Sequence, residues 1–364
     1  MEKEKISSLQ LFYILIGFEF GTTIILGLGA GAKQDAWIVI LVATVSSLVL
    51  MSTYVKLASF YPNMTLIEII PKLIGKYLAY PVIYLYIAYF IYTAGRACRD
   101  FGDLIVSTIL VKTPLVVVIG SFMVLVIYCL RGGVEIFGRM GEAVFPIFMF
   151  SLTIVWILLL SVESIQFKNL TPILGNGVKP ILKEVYPKSL NFPFGETVII
   201  MMFLPFLKDQ KNAGKVGFAV ILIGGILLTI NSVLIISVVG PELYQMDYFP
   251  LLSATRLVSI ADFLERFDAL IILMMVAGVF FKMGAWMYGA AVGIAQLFSV
   301  KSKKAIILGL GTIITPLSLV IGSDFVKHLE IGFGLIVTYV HTLLHIILPI
   351  LFLCIAFIRK KVLS

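Results

Sequence analysis

Two apolar stretches of this 364-residue chain carry a glutamate beside helix-breaking residues: Phe18-Glu19-Phe20-Gly21-Thr22-Thr23 and Phe192-Pro193-Phe194-Gly195-Glu196-Thr197. A third charge, Lys282, stands inside Phe280-Phe281-Lys282-Met283-Gly284-Ala285-Trp286. An ionised group in hydrocarbon is costly, and a neighbouring Gly or Pro frees backbone groups that need partners, so such positions line a cavity. The candidate ligand-binding set is therefore Gly17, Glu19, Gly21, Thr22 and Thr23 from the first stretch, with Phe194, Gly195, Glu196 and Thr197 from the other. Glu196 is expected at the start of a half-helix running through Thr197 to Leu207, where free N–H groups stabilise a carboxylate that still receives an ammonium group. Gly21, Thr22 and Thr23 are expected to open the second half of the first helix, whose N–H groups and hydroxyls suit a ligand carboxylate. Together they would hold a zwitterion. Glu19 would repel its carboxylate unless protonated, turned away or paired with Lys282.

These residues must be positioned by membrane helices. The chain is 60% hydrophobic and 13% charged, with mean hydropathy +1.08, too apolar for a soluble core. The first apolar run is too long for the h-region of a signal peptide and is expected to stay as a helix. Reading between charges gives ten spans, near residues 6–32, 36–55, 77–95, 113–130, 143–162, 189–207, 216–241, 269–300, 305–323 and 331–358. Each approaches or exceeds the ~20 residues that cross a bilayer. With both termini cytoplasmic, sixteen Lys and Arg residues fall inside and eleven outside, the bias expected of cytoplasmic loops. Spread over short loops, the net charge of +8 argues against nucleic acid as a partner.

The two glutamate motifs each open one half of the chain, as in a transporter-like fold built from two repeats with broken first helices. Five spans per half is odd, so the second half enters from the opposite side. The expected fold class is an all-α integral membrane protein, ten transmembrane helices in a five-plus-five inverted repeat with helices 1 and 6 broken, side by side and LeuT-like. One membrane domain (1–364) contains a first repeat (6–162), a turn-rich connection (163–188) with Pro172, Pro180 and Pro187, and a second repeat (189–358). In such folds helix 8 faces helix 1 where sodium binds, so the ammonium of Lys282 is expected to substitute for that ion and to remove sodium dependence. Its partner is either the freed carbonyls around Phe18 to Gly21 or the carboxylate of Glu19.

Other motifs read more simply. Asp35 precedes Ala36-Trp37 and is expected to cap helix 2. Gly27-Leu28-Gly29-Ala30-Gly31 has no preceding strand and reads as close helix packing, not a nucleotide turn. His341 and His345, spaced i, i+4, share a face; hydrogen-bonded packing histidines are commoner than metal ligands in that pattern. Arg131 to Arg139 reads as a solvated loop, with partner docking as the alternative. Cys98, Cys129 and Cys354 form no paired motif. No nucleophile–base pair, metal cluster or phosphate loop suggests an enzyme or a cofactor.

Several segments resemble one family: Ile6-Ser-Ser-Leu-Gln10, Lys33-Gln34-Asp35-Ala36-Trp37, Tyr61-Pro62 with Thr65-Leu66 and Glu68, Gly138-Arg139, and Phe194-Gly195-Glu196-Thr197 to Leu204-Pro205. The chain is similar to the endospore germination permeases, B subunits of nutrient germinant receptors related to amino acid/polyamine/organocation transporters. The resemblance implies a small-nutrient sensor in the inner membrane of the spore, beside an A-type membrane subunit and a C-type lipoprotein. The reading it supports is a ligand-binding receptor subunit for a small nutrient, an amino acid foremost. A proton-coupled amino-acid transporter, with Glu19, Glu196 or Lys282 titrating, is the alternative.

Overall fold

The computed structural model describes residues 4–258, 268–322 and 324–363. Lys3, one of the sixteen inner basic residues, and Arg266, one of the eleven outer ones, lie outside them. Among the described residues the chain is helical, with a single isolated bridge between Ile6 and Leu207.

The first span opens as α1 (Ser8–Phe20), started by a capping box in which the Ser7 hydroxyl accepts from Gln10 N–H and the Gln10 side chain accepts from Ser7 N–H. α1 ends at Gly21 (φ 20°), and residues 21–29 form successive turns leading to a 3₁₀ segment, Ala30–Asp35. The expected second half-helix after Gly21 is thus a run of turns instead. α2 (Ala36–Phe60) follows. Asp35 does not cap it: its carboxylate accepts from Leu174 N–H at 3.0 Å and pins the connection between the halves.

A short helix α3 (Leu66–Ile74) precedes α4 (Lys76–Thr108). Thr65 and Glu68 start α3 with a second capping box, and its apolar face, Leu66, Ile67, Ile69, Ile70 and Leu73, is buried. α5 (Leu115–Leu130) and α6 (Val134–Leu160) complete the first half. The stretch expected as a solvated loop from Arg131 to Arg139 is mostly the first turns of α6, where Arg139 pairs with Glu135 at 2.8 Å, i, i+4 on an exposed face.

The connection is ordered and carries α7 (Val178–Lys183), whose Ile181 packs with Val185 on Ala32 and Val39. The sixth span is the least regular: a 3₁₀ segment Phe194–Ile199, one α turn α8 (Ile200–Phe203) and a second 3₁₀ turn Leu204–Phe206. α9 (Ala213–Met246), α10 (Pro250–Arg256), α11 (Asp268–Leu297) and α12 (Lys303–Val320) follow. The last span runs from α13 (Phe325–Leu329) through a π-helix, Glu330–Ile347, into α14 (Leu348–Leu363).

Among the described residues, eight helical segments are long and apolar enough to cross a membrane, and Ser8–Phe20 and Leu115–Leu130 are shorter apolar helices. Lys208 N–H donates to Ile6 O and Ile6 N–H to Phe206 O, each at 2.9 Å, so the first span begins where the sixth ends. The two broken spans therefore run in opposite directions, as an inverted repeat requires. Close approaches use small residues: Gly217 and Gly225 of α9 lie against Met51 and Thr44 of α2. Arg99 of α4, 5% exposed, pairs with Asp103 at 2.7 Å and donates to the carbonyls of Ser318, Leu319 and Gly322, satisfying the end of α12.

Candidate functional site

α11 crosses the bundle directly behind the break in the first span. Gly278 has no room for a side chain, since a Cβ there would stand 2.7 Å from Gly21 O, and Phe281 lies against Gly17 in the same way. One residue on, the stem of Lys282 runs past Gly21, where a Cβ would meet Lys282 Cδ at 2.5 Å. Glycine at position 21 thus serves both a positive φ and the passage of a lysine.

The ammonium of Lys282 does not stop at Glu19. It reaches the break in the sixth span, 2.6 Å from Glu196 Oε2, with both residues 3% exposed. The approach is oblique, an ion pair rather than an aligned hydrogen bond. The ammonium also stands 4.3 Å over the Phe192 ring and 5.4 Å from that of Phe18, where the π faces add attraction. Neither partner expected from sequence, Glu19 or the carbonyls of the first break, is the one it takes. α11 is tethered to the sixth span because four methylenes carry the charge past Gly21. The carboxylate of Glu196 is held by this lysine and not by bare helix N–H groups; its own N–H is bound to Pro193 O at 3.0 Å.

Glu19 is fully buried and neither carboxylate oxygen has a hydrogen-bond partner among the described residues. Its Cβ lies beside α9, 4.0 Å from where a Cβ on Gly224 would stand. The hydroxyls of Thr22 and Thr23 are likewise buried and unpartnered, whereas Thr197 donates to Phe194 O at 2.5 Å.

A cavity of about 30 Å³, room for about two waters, lies at the ion pair, with Thr93, Arg96, Asp100 and His341 in its wall beside Glu196 and Lys282. Asp100 is bound to His328 Nε2 at 2.6 Å, and Arg96 donates to His328 O at 3.0 Å. A larger cavity of about 330 Å³, bordered by the Gly27–Gly31 backbone and Glu184, lies next to it. Leu26, Phe192 and Phe333 line both cavities and form the partition, with the Phe192 and Phe333 rings edge to face at 5.4 Å. On the terminus-bearing face, Glu4 bridges three elements. Its carboxylate accepts from Val134 N–H (3.2 Å), Tyr288 Oη (3.1 Å) and Lys303 Nζ (3.0 Å). Burial would raise the Glu4 carboxyl, but the nearby Lys303 charge and these donors outweigh it and hold it below its ordinary value.

The framework around the sixth break was not read from the sequence. Tyr54 of α2 donates to His345 O (2.8 Å) and Gly195 O (3.3 Å), Tyr86 of α4 to Leu344 O (2.7 Å), and Asn191 to Val337 O (2.9 Å) and Thr342 Oγ1 (2.8 Å). These side chains serve carbonyls of the π-helix and the break, the groups that irregular backbone at membrane depth must satisfy. Only the intramembrane position of such polar side chains signals them in advance. Of the two histidines, His345 meets the expectation of a hydrogen-bonded packing residue, with Nε2 2.8 Å from Tyr89 Oη. His341 does not: neither ring nitrogen has a hydrogen-bond partner among the described residues. No group of three or more metal-ligating side chains is present among the described residues.

A pair of broken spans, antiparallel and crossed by a helix at mid-bundle, is transporter architecture, and comparison with known proteins places it. The family model described as Spore germination protein, a spore permease model, matches residues 5–326. The chain belongs to the spore germination permease family. Spore germination protein KB of Bacillus subtilis (strain 168) is 34% identical over 361 residues, covering 99% of this chain and 97% of that one. Spore germination protein B2 of the same organism is 24% identical, covering 75% and 73%. Two solved structures share the fold. Mhp1, a nucleobase-cation-symport-1 family transporter in a closed conformation with bromovinylhydantoin bound, superposes with TM-score 0.70 at 13% identity, over 94% of this chain and 75% of that one. MhsT in complex with L-phenylalanine gives TM-score 0.68 at 13% identity, over 98% and 89%. The chain thus has a LeuT-like helical fold.

Proposed function

We propose that this chain is the ligand-binding membrane subunit of a spore germinant receptor, sensing an amino acid where its two broken spans meet. The observation that carries the reading is the buried Lys282–Glu196 pair in the wall of the mid-bundle cavity. A zwitterion matches such a pair charge for charge: its ammonium replaces Lys282 at Glu196 and its carboxylate receives the freed lysine. Each new contact is charge-assisted and worth roughly 1.5–3 kcal/mol. A cavity of about 30 Å³ must enlarge to admit it, and the Leu26, Phe192 and Phe333 partition is the natural part to move. Displacing Lys282 would release α11 from the sixth span, a mechanical signal for neighbouring subunits.

Under this reading the chain works as one membrane domain in the inner membrane of the spore, beside an A-type membrane subunit and a C-type lipoprotein. Its termini face the cytoplasm. Arg96 and Arg99 sit within α4, so among the described residues eight Lys and Arg residues remain opposite fifteen of the terminus-bearing side, which supports the bias. A second reading, a proton-coupled amino-acid transporter, draws support from the fold shared with the transporter Mhp1 and from the buried Glu19, which has no hydrogen-bond partner among the described residues. Labelled amino acids offered to proteoliposomes separate the two. Saturable binding without accumulation is expected of the receptor; accumulation driven by a proton gradient would replace it with the transporter.

A further inference from the structure

The charged groups around the mid-bundle cavity are already engaged with one another: Lys282 with Glu196, Asp100 with His328, and Arg96 with the His328 carbonyl. Thr93 is also committed, its hydroxyl donating to Tyr89 O at 2.9 Å. His341 stands apart. It is 3% exposed and lines the cavity from the π-helical segment of the last span, and both ring nitrogens lack a hydrogen-bond partner among the described residues. The Asn191 carbonyl is near enough to act on the ring electrostatically but does not meet hydrogen-bond geometry. His345, one turn further and 4.5 Å away ring to ring, has its partner in Tyr89 and lies outside the cavity wall. His345 thus keeps one nitrogen bonded and only its Nδ1 without a partner, whereas His341 has neither nitrogen bonded among the described residues. Edge-to-face contact with Tyr89 fixes the His341 ring without using its nitrogens.

A neutral imidazole offers one N–H donor and one lone pair. Hydroxyl and carboxamide groups are its complements, since each also both donates and accepts. With the amino and carboxyl groups of an amino acid engaged by Glu196 and Lys282, the ligand side chain is the part left to meet His341. We propose that His341 reads a hydroxyl or carboxamide on the nutrient, so that the receptor prefers polar, uncharged amino acids to their apolar isosteres. This rests on the amino-acid reading above and adds the side-chain class. The physical basis is asymmetric: a polar ligand completes both ring nitrogens, whereas an apolar one buries them unmatched, and a site built to hydrogen-bond discriminates steeply against an analogue that cannot.

The test uses the purified full chain in lipid nanodiscs, with equilibrium binding of L-threonine against L-valine and of L-glutamine against L-methionine. The parent is expected to favour the polar member of at least one pair by about tenfold or more. His341→Leu should erase that ratio by weakening the polar ligand while leaving the apolar one within a few-fold. His341→Gln, which keeps a donor and an acceptor, should retain part of it. A residue that only packs would change both affinities together and leave the ratio unmoved. Equal binding within both pairs by the parent, or an unchanged ratio in His341→Leu, overturns the assignment. If His341→Leu does not fold, the parent ratio and His341→Gln still decide. Binding of none of the four by the parent overturns the amino-acid reading, and His341's assignment falls with it; binding without discrimination overturns His341's role alone.

Discussion

The two broken spans start from similar residues and end in different physical states. In the first, Glu19 sits one residue before the end of α1, fully buried and without a hydrogen-bond partner among the described residues. In the sixth, Glu196 lies inside a 3₁₀ segment, is approached to 2.6 Å by Lys282, and has its neighbouring backbone held by Tyr54. The difference is made by a third element. α11 passes close behind Gly21, too close for Lys282 to halt there, and its side chain extends to the far break. A glutamate beside a glycine in a membrane span therefore marks an irregular site, while its charge balance depends on which cation can physically arrive.

The comparison is broken most severely by removing one member of the pair. Lys282→Met leaves Glu196 buried and uncompensated, and Glu196→Gln leaves Lys282 so; each is expected to cost roughly 3–5 kcal/mol of stability or to prevent folding. The double variant should cost clearly less than the two single losses combined. Unfolding in detergent, followed by tryptophan fluorescence, measures the cycle; additive losses would show that the two charges do not support each other.

A smaller effect sharpens the contrast at the first break. Glu19→Gln removes a carboxylate that has no partner, so stability should remain within about 1 kcal/mol of the parent or rise. It should not rescue Lys282→Met, because Glu19 is not the lysine's partner. Rescue would move the ion pair back to the first break.

The smallest effect lies away from both breaks, where Glu4 joins α6, α11 and α12 at the terminus-bearing face. A carboxyl held below its ordinary value in the folded state adds stability that is fully present above its unfolded pKa, about 4.3, and is lost as pH falls through the lower folded value. Near neutral pH the contribution is therefore constant. Acidification should loosen the N-terminal segment, seen as lower amide protection of Ile6 and Lys208 relative to the intrinsic exchange rate at each pH, and Glu4→Gln should show no such step.

Much of the positioning was legible. The spans lie close to where charges bracket apolar runs, and the breaks fall where Gly, Pro and Glu interrupt them. α3 was also within reach, since Thr65 and Glu68 form the capping box that starts it. Asp35 shows the limit of local reasoning: its position before α2 suggests a cap, yet Leu174 N–H competes for the carboxylate from a segment remote in sequence. The π-helix of the last span was hidden for the same reason, because its carbonyls are served by Tyr54, Tyr86 and Asn191 from other elements.

Residue types alone determined that this chain belongs in a membrane, that its two halves oppose each other, and that three charges at mid-depth need explanation. Those conclusions follow from solvation, which acts on each segment separately: hydrocarbon rejects charge and unpaired backbone wherever they occur. Which charge meets which, which histidine is left without a partner, and where a cavity remains were decided only by the tertiary structure. Pairing depends on distances of a few ångströms between groups far apart in sequence, and Lys282 reaches Glu196 rather than Glu19 because Gly278 and Gly21 let α11 come close enough to carry its ammonium past the first break.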